Sequence, residues 1–331
     1  MIKYITILLA VALFSCNETN NHSTEKEEDS KKEVVIDENI NGEESLGAHL
    51  FFDPILSEDK TISCASCHNP KFAFADNKPL SVGVHGRKGT RNAPAVMNMA
   101  SRRFFFHDGR ASSLEEQALG PIENPVEMNL SYSEAVKRVQ ENEAYQYYFN
   151  KVYQSKPDSA LILKAIAQFE RSLESDGSAI HDKWMNGEDT TNQFTESQKR
   201  GRIIFMTKGK CFDCHFSPDF TTDEFRNIGL YDGDKLNDVG RFGVTKDSAD
   251  LGKFKVPGLR NVALTAPYMH NGMFATLEEV IEYYNNPYAV VQEPINIDTL
   301  MQPLDLTQQE KDDLLHFLES LTDENIPYLK N

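Results

Sequence analysis

Two short stretches carry residues of the right type and spacing for chemistry: Cys64-Ala-Ser-Cys67-His68 and Cys211-Phe-Asp-Cys214-His215. Each sets two thiols one helical turn apart and follows them at once with an imidazole. This is the attachment signature of c-type haem. The thiols bond to the haem vinyl groups, and the histidine becomes the proximal iron ligand. Four of the five cysteines fall in these two motifs. With nine histidines in 331 residues, a trailing His after both pairs is about a one-in-a-thousand coincidence. A Cys2His2 zinc site or a redox dithiol are the alternatives. Zinc would more naturally join the two Cys-x-x-Cys units to each other, and it gives no reason for both histidines. Two covalently bound haem c groups are therefore expected.

Elements must bring the chain to each motif. Leu46 to Phe52 has the texture of a helix stopped near Pro54, followed by a loop into the first motif. Ser81 to Pro94 is glycine-rich loop. Residues 133–153 and 159–174 show helical spacing, through Val136, Val139 and Tyr147 in the first stretch and Leu161, Ala165, Ile166 and Phe169 in the second. No run of period two stands out, so the fold is expected to be mainly α. Thr195 with Gln198 has the form of a capping box that opens a helix toward the second motif. Asp219 to Gly252 should be long loop. Thr307 with Glu310 forms another capping box, ahead of Leu314, Phe317, Leu318 and Leu321 on one helical face. A leading helix, Cys-x-x-Cys-His and a closing amphipathic helix make up a small cytochrome c domain. The second half fits that layout closely and the first half more loosely, with insertions.

The length allows two domains of ordinary size. The net charge of −17 argues against nucleic acid and favours a basic partner. Lys3 and the apolar run Ile5 to Phe14 read as an export signal, too short to span a membrane. Leu13-Phe14-Ser15-Cys16 resembles the bacterial lipobox, which would make Cys16 a lipidated first residue; a plain secretory signal is the alternative. The expected division is a signal over 1–15 and a polar, disordered tether over 16–42. Two haem domains follow, over 43–190 and 191–331, packed around an interface. Export to the periplasm and a lipid anchor in a membrane go with this.

Further blocks complete the pattern: Leu50-Phe-Phe-Asp53, Arg91-Asn-Ala-Pro94, Asp108-Gly-Arg110, Glu116-Gln-Ala-Leu-Gly-Pro121, Asn124-Pro-Val-Glu-Met128, Leu259-Arg-Asn261 and Ala266-Pro-Tyr-Met-His270-Asn-Gly272. In this order, with two haem motifs, the chain from about Leu46 to Leu321 closely resembles the bacterial di-haem cytochrome c peroxidase family, which includes the MauG-type oxidases. The resemblance implies that the first haem is peroxidatic and the second transfers electrons. It places Glu127 as the acid–base carboxylate over the peroxidatic iron and Gln117 as its neighbouring amide, a pairing suited to moving a proton between peroxide oxygens. Asn92, with the carbonyls of Thr265 and Pro267, falls at the family's calcium site, and neutral oxygen ligands suit Ca²⁺.

Three positions depart from the usual family pattern. His107 stands where a tryptophan usually lies between the haems, and the chain's one tryptophan is Trp184; an imidazole can still bridge. Where many members carry a removable histidine ligand, Val84 aligns, with His85 beside it as an open candidate for the first iron. The third concerns the second haem's far ligand. Thr276 with Glu279 caps a helix on which Leu277, Val280, Ile281 and Tyr284 share one apolar face, with Tyr283 pointing elsewhere. Electron-transferring relatives carry Met at the position of Tyr284 and MauG-type ones Tyr, and Met301 is the rival ligand. The function expected is reduction of hydrogen peroxide with electrons from a small cytochrome c or cupredoxin. The alternative is MauG-type oxidation of a partner protein, and a pure di-haem electron carrier is a third. Since family members are often dimers, a homodimer is compatible with this.

Overall fold

Side-chain caps decide where the helices begin. In the computed structural model, which describes residues 35–188, 190 and 193–329, α1 spans Glu43–Phe52. Ser113 accepts from the Glu116 amide to open α2 (Leu114–Glu123). Ser131 opens α3 (Tyr132–Glu141), Asn142 opens α4 (Glu143–Tyr153) and Asp158 opens α5 (Ser159–Ser172). After the short α6 (Ile180–Met185), the expected capping boxes start α7 (Glu196–Met206), α9 (Leu277–Asn285) and α10 (Gln308–Glu319). Each cap satisfies amide hydrogens that have no partner inside the helix. The segment 219–252 is mostly loop, as expected, interrupted by the single turn α8 (Phe242–Thr245). Its strand β1 (Phe225–Arg226) pairs antiparallel with β2 (Phe254–Lys255), and no longer strand occurs among the described residues. Mainly helical architecture is thus what the chain adopts.

One helix crossing occurs twice. Gly47 of α1 faces α5 so closely that a Cβ there would lie 1.9 Å from the Ala165 carbonyl oxygen and 2.8 Å from Phe169 Cβ. Gly201 of α7 faces α10 in the same way, 1.9 Å from the Asp313 oxygen and 2.8 Å from Phe317 Cβ. Glycine is what lets the backbones meet at these two points. Around the first crossing, Leu46, Leu50, Phe51, Phe74, Tyr145, Tyr148, Phe149, Ile162 and Phe169 form a core. Around the second, Phe205, Phe220, Leu277, Ile281, Leu314, Phe317, Leu318 and Leu321 form another.

Three local expectations need correction. The stretch 133–153 is two helices, because Asn142 ends α3 and its side chain caps α4 through the Ala144 and Tyr145 amides. That break resets the helical phase, so Tyr147 is 41% exposed while Tyr145, Tyr148 and Phe149 are buried. Packing also begins before Glu43: Ile40 is buried in the first core, and the Asp37 amide donates to the Tyr148 hydroxyl. Apolar Ile36 and Ile40 close the end of that core, so the last tether residues belong to the folded body. Finally, Tyr283 points away from the face of Tyr284 as expected, yet it is the more deeply buried of the two, because the chain around Ile228 and Leu230 folds over the other side of α9. Cys16, the signal and most of the tether lie outside the described residues.

Candidate haem and peroxide site

Both Cys-x-x-Cys-His motifs open into one cavity of ≈ 1080 Å³, bordered by Cys64, Cys67, His68, Cys211, Cys214 and His215. Each motif begins with a single 3₁₀ turn, Cys64–Ser66 and Cys211–Asp213, which leads through the second cysteine to the histidine. The His68 amide donates to the Cys64 carbonyl and the His215 amide to the Cys211 carbonyl, each at 2.9 Å. Ring orientation is then fixed from behind. His68 Nδ1 lies 3.2 Å from the Phe74 carbonyl and 3.1 Å from that of Pro94, and His215 Nδ1 lies 2.8 Å from the Phe220 carbonyl. A carbonyl only accepts, so Nδ1 carries the hydrogen and Nε2 keeps its lone pair, as a metal-bound histidine requires. Burial lowers both histidine pKa values and favours the neutral ring.

No disulfide joins the four motif cysteines, and burial pushes the Cys67 thiol up to about 11 and the Cys211 thiol up to about 12. Such protonated thiols are unlike the low-pKa thiolate of a redox dithiol. No three His, Cys, Asp or Glu side chains converge on a metal position among the described residues. The donor set fits covalent haem instead: paired thiols, one oriented imidazole, and a large apolar-walled space in front of each.

Glu127 and Gln117 border the same cavity, on the turn after α2 and on α2 itself. Burial raises the Glu127 pKa, against opposing effects from the Asn124 hydrogen bond and Arg110. Asn124 Nδ2 donates to Glu127 Oε1 at 2.6 Å, and the Glu127 amide donates to the Asn124 carbonyl. The glycine-rich loop buttresses this turn, with the Val84 amide donating to the Glu127 carbonyl at 2.8 Å. A Cβ on Gly83 would lie 2.3 Å from the Val126 oxygen, so only glycine lets the loop lie this close. Asn124 and Gly83 escaped the sequence reading as positioning groups, although the Asn-Pro-Val-Glu spacing marks an Asx turn onto the carboxylate.

His85 does not join the site. The 3₁₀ turn Val84–Gly86 buries Val84 and turns the His85 ring outward, 2.9 Å from the Glu58 carboxylate and about half exposed. His107 does border the cavity, and its Nε2 donates to the Asn92 carbonyl at 3.0 Å. Burial, with Arg91 and Lys255 nearby, holds its pKa down to about 4. Beside it, His270 stacks on Phe254 at 3.8 Å, with the Arg91 guanidinium 5.5 Å from the same phenyl ring. Arg91 joins the halves by pairing with Asp108 at 2.6 Å and Asp238 at 2.7 Å. Asn92, Thr265 and Pro267 line the cavity too, and Asn92 Nδ2 is spent on the Lys78 carbonyl.

On the second side, Leu277, Val280, Ile281 and Tyr284 all face the cavity, as the helical period requires, and Met301 borders it as well. Burial raises the Tyr284 pKa, and Tyr283 and the two cysteines add to the effect. Tyr283 instead sends its hydroxyl to the Ile228 carbonyl at 2.6 Å.

With this geometry in place, the chain belongs to the di-haem cytochrome c peroxidase family. The model of the family described as di-haem cytochrome c peroxidase matches residues 41–190. The methylamine utilization protein MauG of Methylorubrum extorquens is 37% identical over 84% of this chain and 77% of its own length. Cytochrome c551 peroxidase of Nitrosomonas europaea is 40% identical over 72% of this chain and 71% of its own. The crystal structure of a MauG-like protein associated with microbial copper homeostasis superposes with a TM-score of 0.79 at 34% identity, covering 88% of this chain and 91% of the other.

Proposed function

We propose that this chain is a peroxidase that reduces hydrogen peroxide to water with electrons drawn one at a time from a small redox protein. The observation that carries this is Glu127, a carboxyl of raised pKa held at the wall of the cavity that receives His68. Haem c, which Cys64, Cys67 and His68 and then Cys211, Cys214 and His215 would hold, would supply one-electron redox chemistry and an iron able to bind peroxide. Glu127 takes the proton of the near peroxide oxygen and returns it to the leaving one. Asn124 occupies Oε1, which leaves Oε2 to carry that proton. Gln117 offers an amide to orient the peroxide. Phe74 and Pro94 hold the His68 ring by Nδ1 so that Nε2 stays directed at its ligand position.

The repeated glycine crossing supports two cytochrome c-like domains, 43–190 peroxidatic and 191–331 for electron transfer. Periplasmic residence through a lipidated Cys16, one Ca²⁺ near Asn92, Thr265 and Pro267, and a homodimer complete the proposal. No described helix is long and apolar enough to cross a membrane. A net charge of −17 favours a cytochrome or cupredoxin with a basic docking face. Peroxide consumption by holoprotein with a reduced cytochrome c donor, before and after half-reduction, tests this. Failure to consume peroxide in either state would overturn it. A MauG-type oxidation of a partner protein is the second reading, favoured by Tyr284 facing the cavity beside Cys211 and Cys214.

A further inference from the structure

Apart from the haem cavity, a groove of ≈ 700 Å³ lies against the first core. Its apolar wall is Ala48 and Phe52 of α1, Ala65 of the first haem motif, and Tyr328 and Leu329 of the C-terminal tail. Phe52, Tyr328 and Leu329 are 38–44% exposed, although their neighbours are core residues. The Phe169 ring lies beneath, 6.1 Å from the Phe52 ring and 5.3 Å from that of Tyr328, so both rings are held from the inside. Ile326, buried in the first core, pins the tail that presents Tyr328 and Leu329. Another rim is formed by Asp37, Asn39 and Ile40, fixed by the bond from the Asp37 amide to Tyr148 and by burial of Ile40. Next to this rim stands the exposed Tyr147, whose hydroxyl meets Glu38 at 3.4 Å.

Single exposed apolar residues are ordinary, but a contiguous set marks a surface that something covers. Charge narrows the choice. Among the described residues, Asp37 and Lys71 are the only carboxylate and ammonium that line the groove, on a chain of net charge −17. A neutral window on an acidic body suits an apolar surface better than a basic protein. Phenylalanine, tyrosine and leucine with a lysine at the rim are residues that settle where lipid headgroups meet acyl chains. The rim at Asp37 is also where the segment running from Cys16 joins the body. Residues 17–34 carry no apolar side chain except Val34, so that segment cannot fill the groove itself. It is eighteen residues long and can hold the body no farther than roughly 60 Å from an anchored Cys16. A short link of this kind gives an effective concentration of about millimolar, so a weak contact is enough to seat the face.

We propose that this groove is the membrane-facing surface of the body: held through Cys16, the protein rests on a phospholipid bilayer with Phe52, Tyr147, Tyr328 and Leu329 at the level of the headgroups. This rests on Cys16 being lipidated. Ala65 belongs to the turn Cys64–Ser66 of the first motif, so contact at this face shields that turn from soluble redox proteins, which must exchange electrons elsewhere on the body.

The test uses holoprotein that begins at Cys16, whose thiol stays free once haem holds the other four cysteines. That thiol is coupled to a maleimide lipid in phosphatidylcholine–phosphatidylglycerol vesicles, and the reference is the same protein capped with a soluble maleimide. Hydroxyl-radical footprinting read by mass spectrometry then reports each side chain. On vesicles, oxidation of Phe52, Tyr147, Tyr328 and Leu329 should fall about two-fold or more, as for a face seated at least half of the time. Oxidation of Ile203 and Val244, which are exposed on α7 and α8, should not change. Tyr328→Glu/Leu329→Glu, still coupled, should lose the protection at Phe52 and Tyr147. No protection on vesicles, or equal protection of Ile203 and Val244, would overturn the proposal. Protection that appears without vesicles as the protein is concentrated would overturn it too, since a second copy would then cover the groove. If the double variant releases the tail, the wild-type footprint on vesicles decides alone. Mass spectrometry of the native protein reads the anchor separately: absence of lipid on Cys16 refutes the anchoring, whereas absence of protection on vesicles refutes this face alone.

Discussion

Replacing Gly201 by Ala places a methyl carbon 1.9 Å from the Asp313 carbonyl oxygen. Real Cβ atoms stay about 3 Å or more from such an oxygen, so α7 and α10 must separate by roughly 1 Å at their crossing, a strain of the overpacking kind. The obstructing atom is backbone, held inside α10, and cannot rotate away. The cost should therefore lie toward the upper end of the roughly 1–3 kcal/mol typical of overpacking. Alanine returns about 1 kcal/mol through its better helix propensity. A net loss of about 2 kcal/mol would lower the melting temperature by roughly 4–8 °C for a domain of 150–250 residues. Gly47→Ala meets Ala165 with the same geometry and should cost about as much. Thermal unfolding of each holoprotein, followed by far-ultraviolet circular dichroism and haem absorbance, measures both. A melting temperature unchanged or raised, as Gly→Ala gives in an open helix, would show that the two crossings are not closely packed.

Other consequences follow from the site. Glu127→Gln should cut peroxide turnover by roughly 10²-fold or more, in line with general acid–base contributions; unchanged turnover with intact haem spectra would refute the assignment. The base must be ionised to act, so wild-type activity should fall as pH drops through the raised Glu127 pKa. Asn124→Ala removes a hydrogen bond that lowers that pKa and should move this acid limb to higher pH in the rate profile. A pyridine haemochrome assay should find two haems in the mature wild type and one after Cys64→Ala/Cys67→Ala or Cys211→Ala/Cys214→Ala; fewer than two in the wild type would refute the di-haem assignment. Near-infrared magnetic circular dichroism should change in Tyr284→Phe and not in Met301→Ala if the phenolate is the second haem's far ligand; a His–Met band lost in Met301→Ala would reverse that choice.

Features whose bonds close within a few residues were legible in the chain alone. The haem motifs are of this kind, since each turn closes from Cys to His through hydrogen bonds within its own five residues. So are the capping boxes at Thr195, Thr276 and Thr307, and the face of α9 that carries Tyr284, which the helical period sets. Family blocks located Glu127, Gln117 and His107, and the cavity gathers all three. Tertiary structure decided what depends on contacts between distant segments. His85 sits one residue from Val84, yet Glu58, 27 positions away, draws its ring to the surface. Tyr283 is buried because the chain near Ile228, 55 positions earlier, folds across it. Gly47 and Gly201 look like ordinary weak points of helices until α5 and α10 lie against them. Glu170 reads as one more charged residue of an amphipathic helix, and only the packing of α5 beside the cavity buries it. Local hydrogen bonds and helical period are written in neighbouring residues, whereas burial depends on which distant surface arrives.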